Sequence, residues 1–154
     1  MAERARLQVE VSKVTRGSPP ATFVKEVLAA AASVPEITAR LPSGDLSVAV
    51  RLTSDSELRK LNRTYAGEDH VTDVLSFAGS GDHLGDIAIS WPAAVRQAEE
   101  YGHAETTELA LLSVHGLLHL AGWDHATAGE RKEMTRLTVA ALKASGISVA
   151  SGRL

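Results

Sequence analysis

A chain of 154 residues, 44% hydrophobic and 23% charged, has the length of one ordinary domain and an average soluble composition, which excludes disordered and fibrous classes and leaves too little chain for two domains. Its formal net charge of -3 sets up no global field for nucleic acid, so an RNA or DNA partner would have to be held by a local patch. The absence of cysteine excludes disulfides, thiolate metal sites and cysteine nucleophiles, fits a reducing cytoplasm, and restricts any metal to nitrogen or oxygen ligands.

The opening MAERARLQVEVSK carries charges without an apolar core segment and does not read as a signal peptide. Within it, LQVEVSK alternates apolar and polar residues with the period of a half-buried strand. Ser18 and Pro19 then offer an N-cap and a first-turn proline for a helix through about Ser33, stopped near Pro35. LSVAVRLTS (46–54) is a second alternating strand, and Ser54 with Glu57 at capping-box spacing starts a helix running to about Tyr65. DVLSFAG (73–79) and GDIAIS (85–90), joined by the turn-forming SGDH, read as a hairpin. Helices follow: Ser90 and Pro92 open one that ends at Gly102, and a second covers roughly Glu105 to Ala121 and stops at Gly122. The last follows Thr127 and Glu130, another capping-box pair, and ends near Gly146, leaving a tail, ISVASGRL, expected to be loosely held. The order βαβαββααα predicts one α+β domain over residues 1–154, a mixed sheet of about four strands with helices packed mainly on one face.

The most apolar run, LALLSVHGLLHLAGW (109–123), is shorter than the roughly 20 residues a membrane span needs, so no membrane partner is expected. It leads into HGLLHLAGWDH (115–125), which holds three of the six histidines. On a helix, His115 and His119 lie one turn apart on the same face, as two ligands of one ion must. Gly122 can stop the helix in a left-handed conformation and turn the chain so that His125 swings back toward them. A lone histidine on an apolar face is usually a core residue satisfied by hydrogen bonds; three at this spacing point to a metal. Imidazoles with no thiolate or carboxylate ligand favour one zinc ion per chain over magnesium or calcium, with nickel, copper and iron left open. Three protein ligands leave a tetrahedral zinc one open position, the mark of a catalytic site, and hydrolysis is the leading reaction class.

The histidine spacing equals that of the metzincin peptidases, HExxHxxGxxH, but Gly116 stands where those enzymes carry a glutamate. Peptide hydrolysis needs a group there to take the water's proton and pass it to a poor amine leaving group. Phosphodiester cleavage asks less of that position: zinc can neutralise a phosphoryl oxygen and supply hydroxide, or the 2′-hydroxyl of RNA can attack. Asp124 is a candidate base or, beside a ligand, a group that orients an imidazole. Gly116 also permits close approach of substrate, or of the sheet to the helix.

These residues resemble the YbeY family of bacterial metal-dependent endoribonucleases, whose signature is HGxLHLxGyDH; Trp123 stands where the family often has tyrosine. LNRTYAGEDHVTDVLSFA is similar to the family's LNxxyRxxdxpTDVLSFp, and LGDIAIS to its LGDI strand, so the likeness spans roughly residues 46–135. The resemblance implies a single-domain α+β, zinc-dependent, single-strand-specific endoribonuclease. Its implied task is ribosomal RNA maturation, notably at the 3′ end of the small-subunit RNA, and ribosome quality control. It implies His115, His119 and His125 as zinc ligands, single-stranded RNA and the small ribosomal subunit as partners, and a ribosomal protein or assembly GTPase as a further candidate. One departure matters: Ala66 occupies the place of the family arginine associated with RNA phosphate. Arg59 and Arg63, at i and i+4 on one predicted helix, are candidates for a substitute positive face, with an ordinary solvated face as the equal alternative. Val71 and Ala78 replace prolines that the family often shows.

Asp73 and Ser76 are candidates for the cleft wall, or for backbone hydrogen bonding alone. His70, His83 and His103 fall in predicted loops without partner spacing and are expected at the surface; Asp86, beside Gly85, reads as a turn residue. Two rival functions stay open: a zinc peptidase or amidase with its base outside the motif, and a non-catalytic ribosome-assembly module with a structural zinc. The oligomeric state is left open.

Overall fold

The computed structural model describes residues 5–68, 72–150 and 152–154. Strand β1 (Ala5–Lys13) leads through helices α1 (Ala21–Ala32) and α2 (Pro35–Arg40) to strand β2 (Gly44–Thr53) and helix α3 (Asp55–Leu61), which a π-helical turn (Asn62–Ala66) prolongs. Strands β3 (Val74–Ala78) and β4 (His83–Ser90) follow, and then helices α4 (Trp91–Tyr101), α5 (Glu105–Leu120) and α6 (Ala128–Lys143).

The strands lie in the order β1-β2-β4-β3, with β1, β2 and β4 parallel and β3 antiparallel to β4. Parallel neighbours need crossovers, which the helical segments between them supply. Successive side chains of a strand point to opposite faces, and the register aligns Val9 with Val48 and Val50 with Ile87. One face is therefore a continuous sheet of branched aliphatic side chains. Helices α1 and α5 pack on it, and α6 packs behind them. Leu28, Leu109, Leu112, Leu117, Leu137 and Leu142 are fully buried in the resulting core, each contributing about 1.5–3 kcal/mol of transfer free energy.

Helix α3 sits on the opposite face, where Arg51 and Thr53 of β2 donate to Glu57 and the Ser90 hydroxyl donates to Asp55 at 2.7 Å. The fold is thus the expected α+β domain with helices mainly on one side. The caps expected at Ser54, Ser90 and Thr127 are present: Ser54 accepts from the Glu57 amide, Ser90 accepts from the Ala93 amide, and Thr127 and Glu130 form a reciprocal capping box. Among the described residues, no helix is long and apolar enough to cross a membrane.

Local departures have physical causes. Ser18 does not cap α1, which begins at Ala21 without a side-chain cap, because Pro20 bars Pro19 from helical geometry. Pro35 both ends the preceding helical run and opens α2 as its first residue, a place where its missing N–H costs nothing; the sequence pattern lacked this helix. The helix expected to reach Tyr65 is α-helical only to Leu61 before the π turn, which Gly67 closes at φ 71°. His103, expected at the surface, has a side chain only 8% exposed. His83 is half-exposed, bonded to Ser47 and Asp86, and Asp86 belongs to β4 rather than to the turn. The tail is held rather than loose: Ile147 and Val149 pack on the core and Arg153 reaches the buried Glu108. A buried carboxylate needs a countercharge, and the tail brings it. His70 and Val71 lie outside the described residues, while Ala78 ends β3 exposed.

Candidate metal centre

Helix α5 is apolar nearly all round because it is enclosed by the sheet, α1, α4 and α6. Every residue from Glu108 to Val114 is buried, as are Gly116, Leu117 and Leu118. The helix opens along one stripe, at His115 and His119. Its end is a Schellman motif in which Gly122 (φ 102°) donates to the His119 carbonyl at 3.0 Å and Trp123 donates to the Leu118 carbonyl at 3.0 Å. The loop is then anchored by Trp123, a buried ring that donates from Nε1 to Glu133 at 3.4 Å and carries the Arg40 guanidinium 4.1 Å above its face. Asp124 accepts from the His125 amide at 2.7 Å. The turn and these anchors bring His125 back beside the helix.

The three rings lie with centroids 4.7, 5.0 and 5.5 Å apart. One ring nitrogen from each falls within 4.8 Å of the others, and the Nε2 atoms of His115 and His119 are 3.1 Å apart. Zinc–nitrogen bonds of about 2.0–2.1 Å in a tetrahedron place ligand nitrogens about 3.3 Å apart, so this pair is already at ligand spacing. The site is a pocket of about 280 Å³ walled on the β3 side by Thr72, Asp73, Val74 and Ser76. Burial first, and then the proximity of His119 and His125, pushes His115 down to about 4, against an opposing pull from Asp73. Burial, followed by His125, also lowers His119, with Asp124 and the Trp123 backbone opposing. Both rings are neutral at pH 7 and present lone pairs. The donor set could hold one metal ion.

Gly116 is required by packing: a Cβ there would lie 2.6 Å from Cγ2 of Ile87. A side chain at this position would meet the sheet. The Ser76 hydroxyl donates to the Gly116 carbonyl at 3.1 Å, so this pocket residue also ties β3 to α5 beside His115. Asp73 lines the pocket and accepts from Gln97 Nε2 at 3.2 Å. Asp124 is exposed, with one oxygen on the backbone of His125 rather than on an imidazole. Arg59 on α3 and Arg63 in the π turn are exposed, and neither lines the pocket; Ala66 ends that turn. Sequence reasoning missed Gln97, Arg153 and Arg40, none of which carries a spacing signal that links it to the histidines.

A profile of the family described as Endoribonuclease YbeY matches residues 9–146. A Roseiflexus castenholzii protein named Endoribonuclease YbeY is 44% identical over 118 residues, covering 69% of this chain and 74% of that protein. A Moorella thermoacetica protein of the same name is 45% identical over 119 residues, covering 68% and 76%. Among solved structures, the solution structure of a Thermotoga maritima protein is similar with a TM-score of 0.58 at 23% identity, covering 88% of this chain and 90% of that one; this likeness is one of fold.

Proposed function

The chain belongs to the YbeY family of endoribonucleases, and from that membership we propose that it cleaves single-stranded RNA with one zinc ion held by His115, His119 and His125. The observation that carries the zinc reading is the convergence of three ring nitrogens within 4.8 Å in an open pocket. Its setting, on this reading, is the cytoplasm, and its substrate is ribosomal RNA, at the 3′ end of the small-subunit RNA and in ribosome quality control. The small subunit and a ribosomal protein or assembly GTPase are the proposed partners.

Zinc in such a site supplies Lewis-acid stabilisation of a phosphoryl oxygen and lowers the pKa of an oxygen nucleophile toward neutrality. The chain's own residues place that chemistry. His115 and His119 project from a helix locked in the core, and Asp124 fixes His125 through its amide, so the ligand geometry is set before substrate arrives. His125 is the exposed member of the three, which leaves the approach to the pocket on its side. Arg59 and Arg63 are the candidates for phosphate contacts outside the pocket, in the role that Ala66 does not fill; on that reading each alanine variant should lower the salt slope of RNA binding by about 1, whereas an ordinary solvated face leaves the slope unchanged.

The peptidase rival is weakened by Gly116. Its Cβ direction points into Ile87, so the position that holds the base in metzincins has no room for one here. The test compares zinc-loaded wild type and His119→Ala on single-stranded RNA, duplex RNA and a peptide. Wild type should cut the single strand, with a loss of at least about a thousandfold in the variant, the worth of several kcal/mol of transition-state stabilisation. Peptide turnover that vanishes in His119→Ala would favour the peptidase instead. Full function in a folded His115→Ala variant would favour the non-catalytic module.

A further inference from the structure

A second polar cluster sits at the start of α5, and the metal triad does not use it. Glu108 is fully buried. Its carboxylate accepts from His103 Nε2 at 2.7 Å and from Arg153 Nε and Nη2 at 2.6 and 3.1 Å. His103 Nδ1 accepts from the Ala150 amide at 3.3 Å, which assigns the ring proton to Nε2. The Arg153 guanidinium also covers the Tyr101 ring at 4.9 Å. The chain of bonds continues beyond this pair. Arg153 Nη2 donates to Gln97 Oε1 at 3.2 Å, and Gln97 Nε2 donates to Asp73 Oδ2 at 3.2 Å. An amide has one accepting and one donating end, so the guanidinium on the oxygen of Gln97 turns its NH₂ group toward Asp73. Among the described residues lining the triad's pocket, Asp73 is the only carboxylate.

We propose that the C-terminal segment is part of the metal site: Arg153 is a positioning residue that, through Gln97, holds the Asp73 carboxylate in the pocket as the anion facing the bound dication. This rests on the metal-site reading above. Three neutral imidazoles cancel none of a divalent ion's charge, and an ion in a half-buried pocket gains from a fixed negative group nearby. Asp73 lines the same pocket as the three imidazoles. Its backbone is tied down as well, with the Asp73 carbonyl accepting from the Ser90 amide at 2.9 Å. Arg153 suits this task because its planar fork can bind Glu108 and Gln97 at once, which the single ammonium of a lysine does less well.

The test titrates the metal-free, full-length protein with zinc against a chromophoric chelator, and then assays RNA cleavage by the zinc-loaded protein. Asp73→Asn, Gln97→Met and their combination leave the three imidazoles and the Glu108–Arg153 pair in place. Asp73→Asn should weaken zinc binding about tenfold. Gln97→Met should weaken it about threefold alone and add nothing in the Asp73→Asn background, the signature of one shared pathway. Arg153→Lys, which keeps a cation near Glu108, should reproduce the Gln97→Met effect. Unchanged zinc affinity in Asp73→Asn, or an equal Gln97→Met effect in both backgrounds, would overturn the proposal. If the zinc cycle behaves as expected while wild type cuts no RNA, the endoribonuclease reading fails and this one stands; a flat cycle with intact cleavage means the reverse. A wild type that binds no zinc overturns both.

Discussion

Helix α5 carries two polar clusters in one apolar rod, and they are built in opposite ways. At its first turn, Glu108 is fully buried and answered from inside the protein by His103 and Arg153. Along its last turns, His115 and His119 stand half-buried beside the exposed His125, with ring nitrogens turned toward one another. A closed cluster of mutually satisfying groups is a structural element, since breaking it costs stability and opening it gains nothing. An open cluster of lone pairs is incomplete until something from outside joins it. The same distinction applies across the sheet, where the groove of about 640 Å³ beside Tyr65 and Phe77 is larger than the triad's pocket, yet its Arg51 and Glu57 are already paired with each other.

The largest effect comes from breaking the closed end. Glu108→Ala or Arg153→Met removes one partner of a buried pair and should cost about 3–5 kcal/mol of folding stability by urea denaturation. A loss below about 1 kcal/mol would show that the tail is not clamped as described. A comparable or smaller effect, on the order of 3 kcal/mol, belongs to the open end in metal-free protein. His115 is lowered to about 4 and His119 is also lowered, so the folded state binds these protons more weakly than the unfolded chain. Their stability contribution is full above about pH 6.5 and is lost as the pH falls toward 4. Denaturation of the metal-free protein across that window should show the decline, and His115→Gln should flatten it; an equal decline in the variant would assign the effect elsewhere. Smaller still is Gly116→Ala. The overlap with Ile87 outweighs the gain in helix propensity, for a net loss of about 1–2 kcal/mol. A neutral or stabilised variant would mean that the helix and sheet part easily.

What the sequence made legible was local. The caps at Ser54, Ser90 and Thr127 and the stops at Gly102 and Gly122 each depend on a few neighbouring residues, and so does the spacing of His115, His119 and His125. The closed cluster was invisible for the opposite reason. Arg153 meets Glu108 from 45 residues away and Gln97 from 56, and no periodicity records a contact of that range. His103 read as a surface loop residue because the tail that covers it is remote in sequence. The short α2 was missed because Pro35, a sound stop for one helix, is an equally sound start for the next. Asp73 was legible as a cleft candidate through its place beside the strand, whereas its tie to Gln97 required the packing of α4.

Whether the open end of α5 takes up a metal is measured most directly by the zinc content of the protein, purified without added metal and then equilibrated with zinc, by elemental mass spectrometry. The expected result is one zinc per chain in the wild type and essentially none in a folded His119→Ala variant. Equal zinc in the two proteins, or none in either, would contradict it.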